Sequence, residues 1–406
     1  MRREAYHRGG RVSKGERKNT HSIPAMEVME RAFAMERQGT SVLHLEIGEP
    51  DFSPPEAVIE ACNRALRGGE THYSDSRGLA QLRSAIAADL EARFGVSVDP
   101  DRVLVTSGTS PAMLLVFSLL LNPGDEVVLA QPHYPCYPNF IRYCGAVPVC
   151  VETSPEDGYN LDPEAVRRVL SPRTRAILIG SPANPTGAIQ SRATVAALGG
   201  LGVPLISDEI YDGLVYDDAK VTSALEVCDD AFVLDGFSKR YAMTGFRLGW
   251  VVAPEWAMRR LQIMQQNLFI SASRFVQHAG IAALEAGAPD VAKMRGVYQQ
   301  RRERLARGLE ELGFGVPGLP EGAFYLFVDA SRFGRDSRLL ASEILERAHV
   351  GVCPGIDFGA SGEGKLRFCY AVSEATIDKA LEQLAAVLPE LEARAGTPCA
   401  PSGADG

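Results

Sequence analysis

The chain has 406 residues, 46% of them apolar, enough for more than one hydrophobic core. Its 51 acidic against 42 basic residues give a net charge of −9, which argues against nucleic acid as the main partner. No apolar run is long enough to span a membrane, and the eight cysteines are scattered without a Cys-x-x-Cys pair, so reduced thiols in a cytoplasmic protein are expected.

Residues 1–20 carry Arg2, Arg3, Arg8, Arg11, Lys14, Arg17 and Lys18 against Glu4 and Glu16, with no apolar signal core behind them. A disordered basic arm is expected there, and a Gly/Pro/Ala/Ser-rich disordered tail over 396–406. Between these ends the pattern alternates strand and helix, which implies an α/β fold with a mostly parallel sheet covered on both faces.

Several apolar strand-type runs end in a polar break. Arg102-Val-Leu-Val-Thr runs into Ser107-Gly108-Thr109-Ser110, and Pro111 then opens a long apolar helical stretch. Free N–H groups at such a helix start suit a phosphate. Glu126-Val-Val-Leu-Ala leads to a proline-rigid loop carrying Tyr134 and Tyr137. Arg175-Ala-Ile-Leu-Ile-Gly ends in Ser181-Pro-Ala-Asn184-Pro-Thr-Gly187, where Asn184 alone would read as a turn residue. Val203-Pro-Leu-Ile-Ser ends in Asp208-Glu-Ile-Tyr211, where Asp208 alone would read as a helix cap. Ala231-Phe-Val-Leu-Asp breaks at Gly236 and presents Ser238 and Lys239, with Arg247 eight residues later. A lysine in a partly desolvated pocket can lose its proton, and the neutral amine forms Schiff bases with carbonyl compounds. Ligands of open α/β sheets bind beyond the carboxyl ends of the strands, so these breaks converge on one site. A charged helical stretch near 285–312 then connects to a second, smaller unit that contains Lys365-Leu-Arg367-Phe-Cys-Tyr-Ala371.

The ordered set Gly48-Glu-Pro-Asp-Phe52, Ser181 to Gly187, Ser207-Asp-Glu-Ile-Tyr211, Ser238-Lys239 with Arg247, and Arg367 resembles the class I/II pyridoxal-phosphate aminotransferases of fold type I. The resemblance covers about 21–395. It implies a large domain (54–299) with a mostly parallel seven-stranded sheet sandwiched by helices, and a smaller α+β domain built from 21–53 and 300–395. It implies pyridoxal 5′-phosphate as cofactor, no metal, and ping-pong transfer of an amino group from an L-amino acid to a 2-oxo acid, with 2-oxoglutarate the family's usual acceptor. Lys239 matches the Schiff-base lysine and general base. Asp208 matches the partner of the ring nitrogen, Tyr211 and Asn184 the donors to the phenolic oxygen, and Tyr134 the ring that stacks on the pyridine. Gly108, Thr109, Ser110, Ser238 and Arg247 match the phosphate site. Gly48, Asn184 and Arg367 match the substrate side, with Arg367 on the α-carboxylate.

Tyr73 matches a tyrosine that reaches the neighbouring subunit's phosphate, implying a homodimer. Tyr137 reads as a packing residue. The chain departs from the pattern at Gly236, where many relatives carry a serine three residues before the lysine. Ser110 stands where some relatives that take dicarboxylic acids have a basic residue, and Phe269, Ile270 and Phe358 suit a neutral or hydrophobic side chain. A β-eliminating carbon–sulfur lyase of the same fold would use nearly the same residues. A non-enzymatic effector-binding module would need a DNA-binding domain for which the twenty-residue arm is too short.

Overall fold

A computed structural model describes residues 23–395; the basic arm and the tail expected at the two ends lie outside the described residues. In chain order α1 (Pro24–Arg37) and β1 (Leu43–His44) precede α2 (Glu56–Arg67) and α3 (Ala80–Phe94). The central part follows as β2 (Val103–Thr106), α4 (Thr109–Leu120), β3 (Glu126–Gln131), α5 (Cys136–Tyr143), β4 (Val147–Glu152), α6 (Pro163–Val169) and β5 (Thr174–Gly180). It continues through α7 (Arg192–Gly199), β6 (Leu205–Asp208), β7 (Phe232–Gly236), β8 (Gly249–Val252), α8 (Glu255–Leu268) and α9 (Arg274–Ala286). The long α10 (Ala288–Glu311) leads to β9 (Tyr325–Asp329), α11 (Ser337–Ala348), β10 (Val350–Gly351), β11 (Cys353–Pro354), β12 (Lys365–Cys369) and α12 (Glu374–Ala395).

Seven strands form one sheet in the order β2-β8-β7-β6-β5-β3-β4, parallel except for β8, as the α/β reading expects. Alternate residues of each strand feed opposite cores. In β5, Ile177 and Ile179 pack with α2, α3, α7 and α9, whereas Ala176 and Leu178 pack with α4, α5 and α8. Both faces are thereby dry, which suits the near-continuous apolar runs of these strands.

The reversed strand has a consequence for the site. Because β8 runs antiparallel between β2 and β7, its first residue, Gly249, pairs with both Thr106 and Gly236. The chain just before β8 therefore arrives at the carboxyl edge of the parallel strands, and Arg247 with it. Gly236 explains its own departure from the expected serine: a Cβ there would lie 2.9 Å from Gly249 Cα and from the Leu248 carbonyl oxygen.

A second core gathers α1, α10, α11, α12 and the three-stranded sheet β11-β12-β9. The segment from β1 runs beside it: β1 pairs in parallel with β10, and the Cys369 N–H donates to the Leu45 carbonyl at 2.7 Å. The charged connector expected near 285–312 is α10, and two of its arginines are buried rather than solvated. Arg301 pairs with Asp51 at 2.8 Å and Arg302 with Asp217 at 2.9 Å. The Asp51 pair holds down the segment that begins at Gly48. None of the described cysteines forms a disulfide. Among the described residues no helix is long and apolar enough to cross a membrane.

Candidate active site

Between the carboxyl edge of the seven-stranded sheet and the second core lies a cavity of about 330 Å³. Gly48, Thr109, Ser110, Tyr134, Asn184, Asp208, Tyr211, Ser238, Lys239, Arg247 and Arg367 all line it. Gly108 sits at its rim. Its φ of +95° is open to glycine, and a Cβ there would lie 2.6 Å from Arg247 Nη2. The first N–H groups of α4, which have no partner inside the helix, begin at this point.

Lys239 follows the break after β7. Its Nζ donates to the Gly48 carbonyl at 2.6 Å, and a side chain at Gly48 would collide with the Tyr325 hydroxyl. Burial is the main reason its amine is pushed down from 10.5 to about 8, with Arg367 and Arg247 adding to the effect against Cys369 and Glu49. A fraction of this amine is therefore neutral near pH 7.

Asp208 ends β6 and is buried. Burial raises its carboxyl from 3.8 to about 6, and this is opposed by the Tyr137 phenol, which donates at 2.8 Å, by the Ile210 N–H at 3.3 Å and by Lys239. Tyr137 therefore does more than pack: it is the hydrogen-bond donor to Asp208, and it meets Tyr134 edge to face at 5.3 Å. Tyr211 shares a hydrogen bond of 2.8 Å with Tyr325, and burial holds its phenol well above the ordinary tyrosine range.

Arg367, on β12, forms the opposite wall. Its Nη1 donates to Asn184 Oδ1 at 3.0 Å and its Nη2 to the Glu46 carbonyl at 2.6 Å, with Cys353 Sγ 2.9 Å away. Cys353 is the register partner of Arg367 across β11-β12. The guanidinium lies 4.2 Å from the Tyr325 ring centroid and 5.2 Å from that of Phe358, while its buried Nε has no partner. A planar cation stacked between rings with an unspent donor is prepared for an anion.

Three expected residues fall outside this cavity. Tyr73 is 77% exposed and reaches no part of its own chain's cavity. Phe269 packs into the core beside α8, and Ile270 is exposed in the turn after that helix, with φ +66°. Neither is a lining residue, whereas Phe358 is. In the other direction, Tyr325 and Cys353 touch Arg367 without having been read from the sequence. The only signal for Tyr325 was its place in the apolar strand after Gly322.

The residues present fit a phosphorylated pyridine aldehyde. The cavity offers a depressed amine, a buried carboxylate and a glycine-opened helix start beside Arg247, with the orphan Nε of Arg367 at the other end. Comparison with known proteins agrees: residues 40–384 match the family described as aminotransferase class I and II. The chain belongs to that family. It is 39% identical to an aspartate/prephenate aminotransferase of Thermus thermophilus, over 88% of this chain and 94% of the relative. It is 35% identical to an arginine–pyruvate transaminase of Pseudomonas aeruginosa, over 90% and 95% respectively. Among solved structures it is similar to the Thermus thermophilus aspartate aminotransferase with maleate (TM-score 0.87, 38% identity, 91% of this chain and 97% of that one). It is also similar to an aminotransferase from Mycobacterium tuberculosis (TM-score 0.89, 33% identity, 94% and 100%). This aminotransferase family uses pyridoxal phosphate and acts on amino acids and 2-oxo acids.

Proposed function

We propose that the cavity holds pyridoxal 5′-phosphate through Lys239 and exchanges an amino group between an L-amino acid and a 2-oxo acid by a ping-pong route. The observation that carries the reading is the depressed amine of Lys239, set in one cavity with Asp208 and Arg367. When bound, the cofactor supplies an electron sink for the pair released as a substrate Cα–H bond breaks. Asp208 holds a proton on the ring nitrogen, and burial keeps this carboxylate basic enough to do so against the donation from Tyr137 and the Ile210 N–H. Asn184 and Tyr211 serve the phenolic oxygen, Tyr134 supplies a stacking face, and Gly108, Thr109, Ser110, Ser238 and Arg247 serve the phosphate.

Arg367 binds the α-carboxylate through its planar fork, held flat by Tyr325 and Phe358. Lys239, once free, would remove the Cα proton and deliver it to the aldehyde-derived carbon of the cofactor, two atoms away across the nitrogen, a general-base task matched by an amine that titrates near 8. In this reading 21–53 and 300–395 make a small domain over a large domain of 54–299. The working unit is a homodimer in which the exposed Tyr73 reaches the partner's cavity.

An absorbance titration of the purified protein with single amino acids and no 2-oxo acid tests the reading. A visible band of lysine-bound cofactor that one or a few amino acids discharge is the expected result. No band after adding pyridoxal phosphate defeats the assignment of Lys239. Release of ammonia and pyruvate with the band unchanged turns the reading to a β-eliminating lyase.

A further inference from the structure

The relatives' names span acidic, basic and aromatic side chains, so the substrate class has to come from the cavity itself. Among the described residues only three cations line it: Lys239, Arg247 and Arg367. In the proposed reaction each is committed, to the amine chemistry, the phosphate and the α-carboxylate. Among the described residues a second carboxylate on the substrate would have no cationic partner, and a charge taken out of water without one is costly.

The remaining wall is apolar. The start of α1 contributes Ile23, Met26 and Met29, α4 contributes Met113, and α5 contributes Phe140. This wall adjoins the carboxylate anchor: Ala25 packs against Cys353 and Phe358, which themselves flank Arg367. The Ala25 N–H donates to Asp357 Oδ2 at 2.5 Å, which ties the start of α1 in place. Three methionines give a deformable surface that takes branched or unbranched apolar groups.

We infer that this cavity takes amino acids with a neutral, apolar side chain, and that the acceptor is a monocarboxylic 2-oxo acid because the same wall serves both half-reactions. The inference rests on the aminotransferase reading above.

The test uses the holoenzyme with donor alone. Leucine and methionine should discharge the cofactor band at least about tenfold more efficiently than aspartate or glutamate, the discrimination expected of an apolar pocket. In a second readout independent of turnover, 4-methylpentanoate should raise the unfolding temperature more than succinate does at equal concentration. Met113→Lys should move the preference toward aspartate. Because Met113 is buried, Met26→Lys at the half-exposed cavity mouth is the companion variant, expected to shift the preference in the same direction. Equal or better conversion of aspartate, or stronger stabilisation by succinate, overturns the inference. If no amino acid discharges the band but 4-methylpentanoate still outperforms succinate, the reaction assignment fails and the apolar-ligand preference stands.

Discussion

The two arginines that bound the cavity make an instructive pair. Arg247 is exposed, sits in the left-handed backbone region at φ +53°, and donates to the Thr244 carbonyl at 2.9 Å. Arg367 is buried on a strand, stacked between two rings, and bonded to an amide, a backbone carbonyl and a thiol. In the proposed function Arg247 would work beside a helix start whose N–H groups share the task of meeting an anion. Arg367 would work almost alone, and its orientation is fixed in advance by its surroundings. On that proposal the same side-chain type is a helper at one end and the whole anchor at the other.

Lys239 lies between them, and its removal should have the largest effect. Lys239→Ala is expected to lower turnover by about 10³-fold or more, measured as single-turnover discharge by a good donor. Retention of near-wild-type rates would remove the reference point for both ends. Next in size, Arg367→Ala should lower kcat/KM for every donor by about 10²-fold or more, since a buried fork on a carboxylate has no substitute nearby. Arg247→Ala should instead weaken cofactor retention by about tenfold, with activity restored by excess pyridoxal phosphate, because exposed charges contribute less and the helix start remains. Equal losses at the two ends, with neither rescued by cofactor, would break the contrast.

The contrast also shows what a sequence can reveal. The edge of the large sheet was legible because each strand is an apolar run that stops at Gly, Pro, Asn or Asp, so the break itself marks the positions that line the cavity. Asp208, Lys239 and Asn184 stand at such breaks. Arg247 needed one more fact, the antiparallel β8, a strand of only four residues with no turn signal strong enough to reveal its direction. Around Arg367 the partners come from β9, β11, the turn after β11 and the segments after β1 and β5, brought together across the fold rather than by spacing. Tyr325 and Cys353 were invisible for that reason. Residues 43–45 pair with β10, and Leu45 and Glu46 accept hydrogen bonds from β12, contacts more than 300 residues apart in sequence that only the resemblance anticipated. Phe269 and Ile270 misled because an apolar pair after a helix can equally close the helix against the core.

A pH series sharpens the comparison from the side of the lysine. Its folded amine titrates near 8 instead of 10.5, so the fraction able to attack an aldehyde rises through pH 8. Reconstitution of cofactor-free protein with pyridoxal phosphate should accelerate toward a plateau above about pH 8. In Arg367→Met the midpoint should move up, because one of the cations that depress it is gone. A midpoint near 10.5 in the wild type would mean that burial does not act on this amine.

The smallest expected effect concerns the anion that faces these cations. Asp208 titrates near 6 in the folded chain and near 3.8 when free. Between those values the folded chain holds a proton that the unfolded chain has lost, so this group's contribution to stability falls as pH rises. Above pH 6 the whole penalty is present. The Tyr137 phenol limits that penalty by donating to the carboxylate at 2.8 Å. Tyr137→Phe should therefore destabilise cofactor-free protein by about 1.5–3 kcal/mol at pH 7.5, the range for a hydrogen bond to a charged group. At pH 5, where Asp208 is mostly protonated in the folded state, the loss should be smaller. Denaturant unfolding at the two pH values measures the difference directly. An equal loss at both would mean that the phenol matters for packing alone, and that its hydrogen bond does not offset the burial of the Asp208 carboxylate.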